Sequence, residues 1–210
     1  MKGTIEVTGT AEDNAIPDRA VIEVTTHATG PSSATAYRAA ASGAASVDAV
    51  LERHAAAIDR TQVREVSVRE TTVYRDGQHV RTGWAASRDA RVDVVDFTAL
   101  IALVADLAEA GATIHGPTWR IDATNDVHDR VRAAAAADAR RRAEAYASGL
   151  GVGVGAVRSV TEPGSYRFSE DHDALVLESR SMEPPGAIGI EAAELRVAAS
   201  VTVEFTLAGA

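Results

Sequence analysis

Leu195-Arg196-Val197-Ala198-Ala199-Ser200-Val201-Thr202-Val203-Glu204-Phe205-Thr206-Leu207 alternates along its whole length. Leu195, Val197, Ala199, Val201, Val203, Phe205 and Leu207 fall on one side, and Arg196, Ser200, Thr202, Glu204 and Thr206 on the other, with Ala198 the single apolar exception. Successive strand residues point to opposite faces of a sheet, so this segment buries one face and wets the other. Strands of an all-parallel sheet are apolar on both faces, so an antiparallel or mixed sheet is expected.

Working outward, residues 4–9 and 18–28 also alternate, with Ile5 and Val7, then Ala20, Ile22, Val24 and Thr26, on one side. The mostly polar Ala11–Pro17 reads as the turn between them. Pro31-Ser32-Ser33 opens a helix to about Ile58, the serines serving as caps and Tyr37, Ala40, Ala41, Ala44, Val47, Leu51, His54 and Ile58 forming its inner face. Residues 63–74 and 79–95 are long strands around Asp76-Gly77, a strong hairpin signal. Val66, Val68 and Tyr74 share even numbering with Val80, Trp84, Ala90, Val92 and Val94. A plain two-residue turn would put the two sets on opposite faces, so an odd loop or a bulge is expected.

Asp96 caps a short helix carrying Phe97, Leu100, Leu103, Val104 and Leu107, closed by Gly111. Residues 113–122 alternate, with His115, Trp119 and Ile121 on one face. A third helix runs from Thr124 or Asn125 to about Gly149 on a stripe of Val127, Val131, Ala135, Ala139, Ala143 and Tyr146, and residues 154–162 form a further strand. Residues 163–190 contain Pro163-Gly164 and Pro184-Pro185-Gly186 without a clear period and read as a long excursion, with room for a short strand at Ala174–Leu177. The expected order is β-β-α-β-β-α-β-α-β-β: an α+β fold in one domain spanning 1–210, an antiparallel or mixed sheet with helices packed on one face.

The 210 residues are 46% hydrophobic and 24% charged, ordinary for a globular protein, but aromatics are only 4% and alanine is abundant. Alanine-rich helices bring backbones close while burying little area each, so the strands must supply most of the aliphatic core. Thirty acidic against 21 basic residues give a net charge of -9, which disfavours generic binding to phosphate backbones or anionic lipid. The chain has no cysteine, which excludes disulfides, thiolate metal sites and Cys nucleophiles. Met1-Lys2-Gly3-Thr4-Ile5 enters alternating sequence directly, without the apolar core of a signal peptide, so a cytoplasmic location is expected. No apolar run approaches the roughly 20 residues that span a bilayer.

Four stretches, in order, carry a family resemblance: Ile5-x-Val7-x-Gly9 with Pro17-Asp18-x-Ala20; Val92-x-Val94 leading to Ala110-Gly111-Ala112; Ala137-Asp138-Ala139-Arg140 and Arg142-Ala143-Glu144 running into Gly151-Val152, Gly155-x-Val157 and Glu162; and Ile190-Glu191 with Glu194-Leu195 through Ser200-Val201-Thr202-Val203 and Phe205. The ordered set resembles the SIMPL-domain family, a group long treated as a domain of unknown function. The resemblance implies an α+β fold and assembly into large rings or channel-like homo-oligomers, as described for periplasmic members, with stress-related and signalling links in particular members. Two departures stand out: many bacterial members carry a signal peptide, and Ala192-Ala193 stands where the family often has Pro-Gly. The resemblance supplies no catalytic residue.

The candidate chemistries are thin. Gly151-x-Gly153-x-Gly155 follows a helix and enters a strand, the reverse of a dinucleotide loop, and reads as a helix exit. Asp171-His172-Asp173 offers metal-ligand types, but adjacent strand residues do not all point at one ion, Glu170 and Glu178 assist only where the loop folds back, and the alternative is a solvated acidic loop. His115 and His54 read as packed or hydrogen-bonded histidines, and Asp122, Asp126, His128 and Asp129 as a helix start. Arg140-Arg141-Arg142 points in three directions, with i,i+4 pairs expected for Asp138–Arg142 and Arg140–Glu144. Tyr166, Phe168, Leu175, Leu177 and Met182 place apolar side chains in the excursion, where they either pack back or meet a neighbouring subunit.

The expected role is therefore non-enzymatic: a self-assembling or partner-binding domain, a homo-oligomer without cofactor, with Tyr166, Phe168, Leu175, Leu177 and Met182 as the candidate surface. The edge of the long hairpin is a second place where another chain could add. The alternative is a small-molecule binding module, or an enzyme with an unrecognised site, with Trp84, Trp119 or His115 lining a pocket. A weaker reading, by analogy with the family, is a stress-related chaperone-like scaffold.

Overall fold

A computed structural model describes residues 3–75, 77–162 and 192–209. The described strands and helices follow the expected order: β1 (Thr4–Ala15), β2 (Arg19–Gly30), α1 (Ser33–Arg53), β3 (Ile58–Arg75), β4 (Gln78–Val94), α2 (Leu100–Glu109), β5 (Thr113–Arg120), α3 (Val127–Gly149), β6 (Gly153–Thr161) and β7 (Leu195–Ala208). Among the described residues every strand pairing is antiparallel, and the fold is α+β. Two sheets form where the sequence suggests one, with strand orders β1-β7-β6 and β3-β4-β2-β5. The chain divides into two compact units, one from residues 1–17 with 121–210, the other Asp18–Arg120.

In the first unit the two ends of the chain lie side by side. Thr4 pairs with Thr206 and the register runs unbroken to Ala15 opposite Leu195, so residues 11–15 extend β1 and do not form the expected turn. Their long partner β7 accounts for this, because its backbone groups need a neighbour as far as Leu195. Val203 and Phe205 of β7 are buried with Val7, Ala139 and Ala143, which places the apolar face of β7 on α3 as its alternation requires. The α3 stripe continues by steps of four to Ala147, and Tyr146 is 63% exposed instead of closing it. The helix stops in a Schellman motif: Val152 N–H donates to Ala147 O at 3.0 Å, Gly151 N–H to Ser148 O at 3.1 Å, and Gly151 takes a φ of 70°. The Gly151-x-Gly153-x-Gly155 run is thus a helix exit, as its position after a helix indicates.

In the second unit α1 lies across β2 and β4. Ser32 Oγ accepts from Thr35 N–H, the expected cap. Ala36, Ala40, Ala44, Val47, Val50 and Leu51 are buried. Tyr37 lies outside that stripe and is 53% exposed, and the helix ends at Arg53, so Ile58 opens β3. Asp96 caps the turn into α2 through Thr98 N–H at 2.9 Å, and the bonds from the Thr98 hydroxyl first and then this N–H hold its carboxyl below the ordinary value. Leu100, Leu103 and Leu107 are fully buried. α2 ends in the same motif as α3, with Ala112 N–H bonded to Leu107 O and Gly111 N–H to Ala108 O, both at 3.0 Å.

β5 departs from its expected alternation. Val21 pairs with Thr118 but Glu23 with His115, so Gly116 and Pro117 together face Ile22. This bulge reverses the parity of the strand. Ile114, opposite Val24, shares the inner face with Trp119, opposite Ala20, and His115 is exposed on the other face beside Glu23. The expected grouping of His115 with Trp119 is corrected accordingly.

Candidate assembly surface

The β3–β4 hairpin turns between Arg75 and Gln78, where Gly77 has a φ of 80° that suits a tight turn. Arg75 pairs with Gln78, Tyr74 with His79, Val73 with Val80 and Thr72 with Arg81. Thr71 then pairs with Gly83, which leaves Thr82 as an extra residue in β4. Thr82 Oγ1 donates to Thr71 O at 3.1 Å and meets Thr71 Oγ1 at the same distance, fastening the bulge. The expected parity correction is therefore a bulge. It places Val66 opposite Arg88 and Val68 opposite Ala86, on the face that carries Trp84, Ala90, Val92 and Val94. Val80 is the exception: lying between turn and bulge, it pairs with Val73 on the opposite face.

Ala86 of that face is buried under α1, together with Ala36 and Ala40. β3 is one strand further out, at the edge of the sheet, and α1 covers it sparingly. Val63, Val66 and Val68 remain 47%, 57% and 40% exposed, and Tyr74 near the tip is 67% exposed. No described strand pairs with the outer side of this 18-residue edge. Arg64 and Asp59 are each an extra residue against β4, so bulges interrupt β3 toward its start, while Glu65 to Thr71 pair without a break.

The remaining sequence candidates occupy structural positions. His54 Nε2 lies 2.9 Å from Asp106 Oδ2, and Arg53 reaches the same oxygen at 3.3 Å, tying α1 to α2. These bonds, His54 first and then Arg53, hold the Asp106 carboxyl below its ordinary value. His128 is buried at the start of α3 with its Nε2 3.0 Å from Asp122 O, while Asp122 Oδ1 accepts from Thr124 N–H at 2.9 Å. Asp138 accepts from Thr10 N–H of β1 at 3.1 Å and from Arg142 Nε at 2.7 Å, and Arg141 also bonds it. Arg140 bonds Glu144 at 2.9 Å, so both expected i,i+4 pairs form.

Trp84 packs with Ala36, Ala40 and Ala86, whereas Trp119 meets Phe97 edge to face at 4.9 Å between centroids. Across β2 the two tryptophans face Gly30 and Ala20, about 33 Å apart along an extended strand. With His115 on the other face, these three side chains do not line one pocket. A polar concavity is lined by Glu12, Asp13, Asn14 and Arg196. Among the described residues no group of three His, Asp or Glu side chains is placed to hold a metal ion, and no helix is long and apolar enough to cross a membrane. Asp171-His172-Asp173 and the candidate surface Tyr166, Phe168, Leu175, Leu177 and Met182 lie outside the described residues.

The family model SIMPL, described as Protein of unknown function (DUF541), matches residues 5–205. The chain belongs to the SIMPL family. The match spans nearly the whole of both compact units, so the family's sequence pattern takes in both sheets of this SIMPL chain. No curated protein matches it. Three of its four resemblance stretches now have physical meanings: Gly9 lies against the α3 backbone, Gly111 and Gly151 close helices, and Asp138 holds β1. The alternation marks both strands of the hairpin but not which of them is the edge; the strand order makes it β3. Its run Arg64-Glu65-Val66-Ser67-Val68-Arg69-Glu70 was in plain view.

Proposed function

We propose that this SIMPL chain is a non-catalytic domain that works by binding protein, assembling with copies of itself or with a partner chain, and that the β3–β4 hairpin is the surface it uses. The observation that carries the reading is the edge strand β3, with Val63, Val66 and Val68 half exposed beside a row of backbone groups that no described strand pairs. A long strand of this kind is a template for another strand, and proteins that do not use such an edge cover or blunt it. Support for a non-catalytic role comes from the polar clusters: those at His54, His128 and Asp138 are hydrogen-bonded as ties between elements or as helix starts.

Light scattering coupled to size exclusion, over a hundredfold range of concentration, tests self-assembly. The expected result is a mass well above the 21.9 kDa of one chain, rising with concentration. A single-chain mass at every concentration would remove self-assembly and leave only a partner chain.

A further inference from the structure

We infer that the outer edge of β3 pairs with the β3 of a second copy, antiparallel, about a two-fold axis at Ser67. The inference rests on the self-assembly reading above and names its occupant, its register and the residues that set it.

An isologous contact brings a surface against itself, so a strand that pairs with its own copy must be complementary to its own reverse. The run Arg64-Glu65-Val66-Ser67-Val68-Arg69-Glu70 has that property. With Ser67 on the axis, Glu65 faces Arg69 of the other copy and Arg69 faces its Glu65. Val66 faces Val68, and Arg64, the extra residue of the bulge with its side chain turned to Glu23, ends the run at the level of Glu70. Directly opposed residues of an antiparallel pair share a face. The face under α1 would therefore gather Val66 and Val68 from both copies, four half-exposed valines across one seam. The other face would hold two Glu65–Arg69 pairs flanking Ser67.

The charges also select the register. A slip of one residue in one direction sets Arg64 against Arg69, and in the other direction sets Glu65 against Glu70. Either slip opposes like charges and moves the valines off their common face. Glu65 and Arg69 are exposed and, among the described residues, make no ion pair within the chain, whereas Arg64 and Glu70 reach Glu23 and Arg81 at 3.6 Å and 3.1 Å. The β3–β4 register is unbroken from Glu65 to Thr71, and the bulge at Arg64 bounds the seam at both symmetric ends. Charges and bulges also serve to blunt an edge against pairing. Blunting needs no particular order of signs, and the mirror order found here is what self-pairing requires.

The test is charge reversal, read as solution mass. Glu65→Arg sets Arg against Arg69, and Arg69→Glu sets Glu against Glu65. Each alone should weaken assembly by about tenfold or more at two symmetric sites. The double variant Glu65→Arg/Arg69→Glu restores opposite charges and should assemble as the unaltered chain does. So should an equimolar mixture of the two single variants, as a mixed pair. Because the chain has no cysteine, Ser67→Cys supplies one thiol per copy, and a short thiol-to-thiol cross-linker should join two copies across the axis. If the unaltered chain assembles but reversal leaves its mass unchanged, or the double variant and the mixture fail to recover, or Ser67→Cys does not cross-link, the β3 pairing is overturned and self-assembly stands elsewhere. If the unaltered chain is a single copy at every concentration, both fall together.

Discussion

Gly9→Ala is expected to destabilise the protein by about 3 kcal/mol or more, a large share of the total stability of a small unit. A Cβ at Gly9 would sit 2.1 Å from Ala135 O, 2.3 Å from Ala139 N and 2.8 Å from Ala139 Cα. All three are backbone atoms of α3, so no side-chain rotation relieves the contact. The helix would have to lift from β1, and the packing of Ala139 and Ala143 on Val7, Val203 and Phe205 would open with it. Interiors packed to crystal-like density transmit such a shift instead of absorbing it. Urea unfolding of the Gly9→Ala chain should show a clearly lower midpoint. A change within about 0.5 kcal/mol, the range of an ordinary surface substitution, would mean that α3 does not approach β1 this closely.

The next largest effect is expected at Asp138 and depends on pH. Its carboxyl is lowered from 3.8 to about 2, first by the Thr10 N–H of β1, then by Arg141 and Arg142. A carboxyl that holds its proton less tightly when folded contributes stability that is fully present above its unfolded value. That contribution fades as pH falls through the window from about 4 to about 2. Asp138→Asn should therefore be less stable than the unaltered chain at neutral pH, and the difference should shrink as the pH drops through that window. Thermal midpoints of the two chains between pH 2 and pH 7 check this. A difference that stays constant across that range would detach the effect from the charge on Asp138. The site matters to the fold because β1 is an edge strand, and Asp138 occupies one of the N–H groups that this edge offers.

The hinge between what the sequence shows and what it hides is tertiary pairing. The period-two pattern of β7 and the step-of-four stripe from Val127 to Ala143 depend only on which face meets a core, so both were legible. Asp76-Gly77 and the even-numbered apolar residues of the hairpin were enough to require an odd loop or a bulge, though not to choose between them or to place the bulge at Thr82, whose hydroxyl fastens it. Other features required the partner strand. β1 runs on to Ala15 because β7 lies beside it, some 190 residues along the chain, and that same pairing closes a second sheet. His115 turns outward because Gly116 and Pro117 both face Ile22, a mismatch that alternation within β5 cannot reveal.

The candidate surface followed the same division. Val66 and Val68 read as members of the apolar set shared by the two hairpin strands, and only the strand order shows that α1 covers them sparingly. Gly9 was recognisable as part of a family pattern, but its reason is the α3 backbone, more than 120 residues away. Charge order in the run around Ser67 needed no structure to be seen, but it acquires meaning only once β3 is known to lie at an edge.

The central claim, that β3 is where another chain adds, is most directly tested by amide hydrogen exchange measured at low and high protein concentration. The account predicts that exchange slows with concentration in residues 63–70, where the outward N–H groups gain partners, while the inner strands β2 and β4 stay as they were. A mass that rises with concentration while exchange across 63–70 remains unchanged would contradict it and place assembly on another surface.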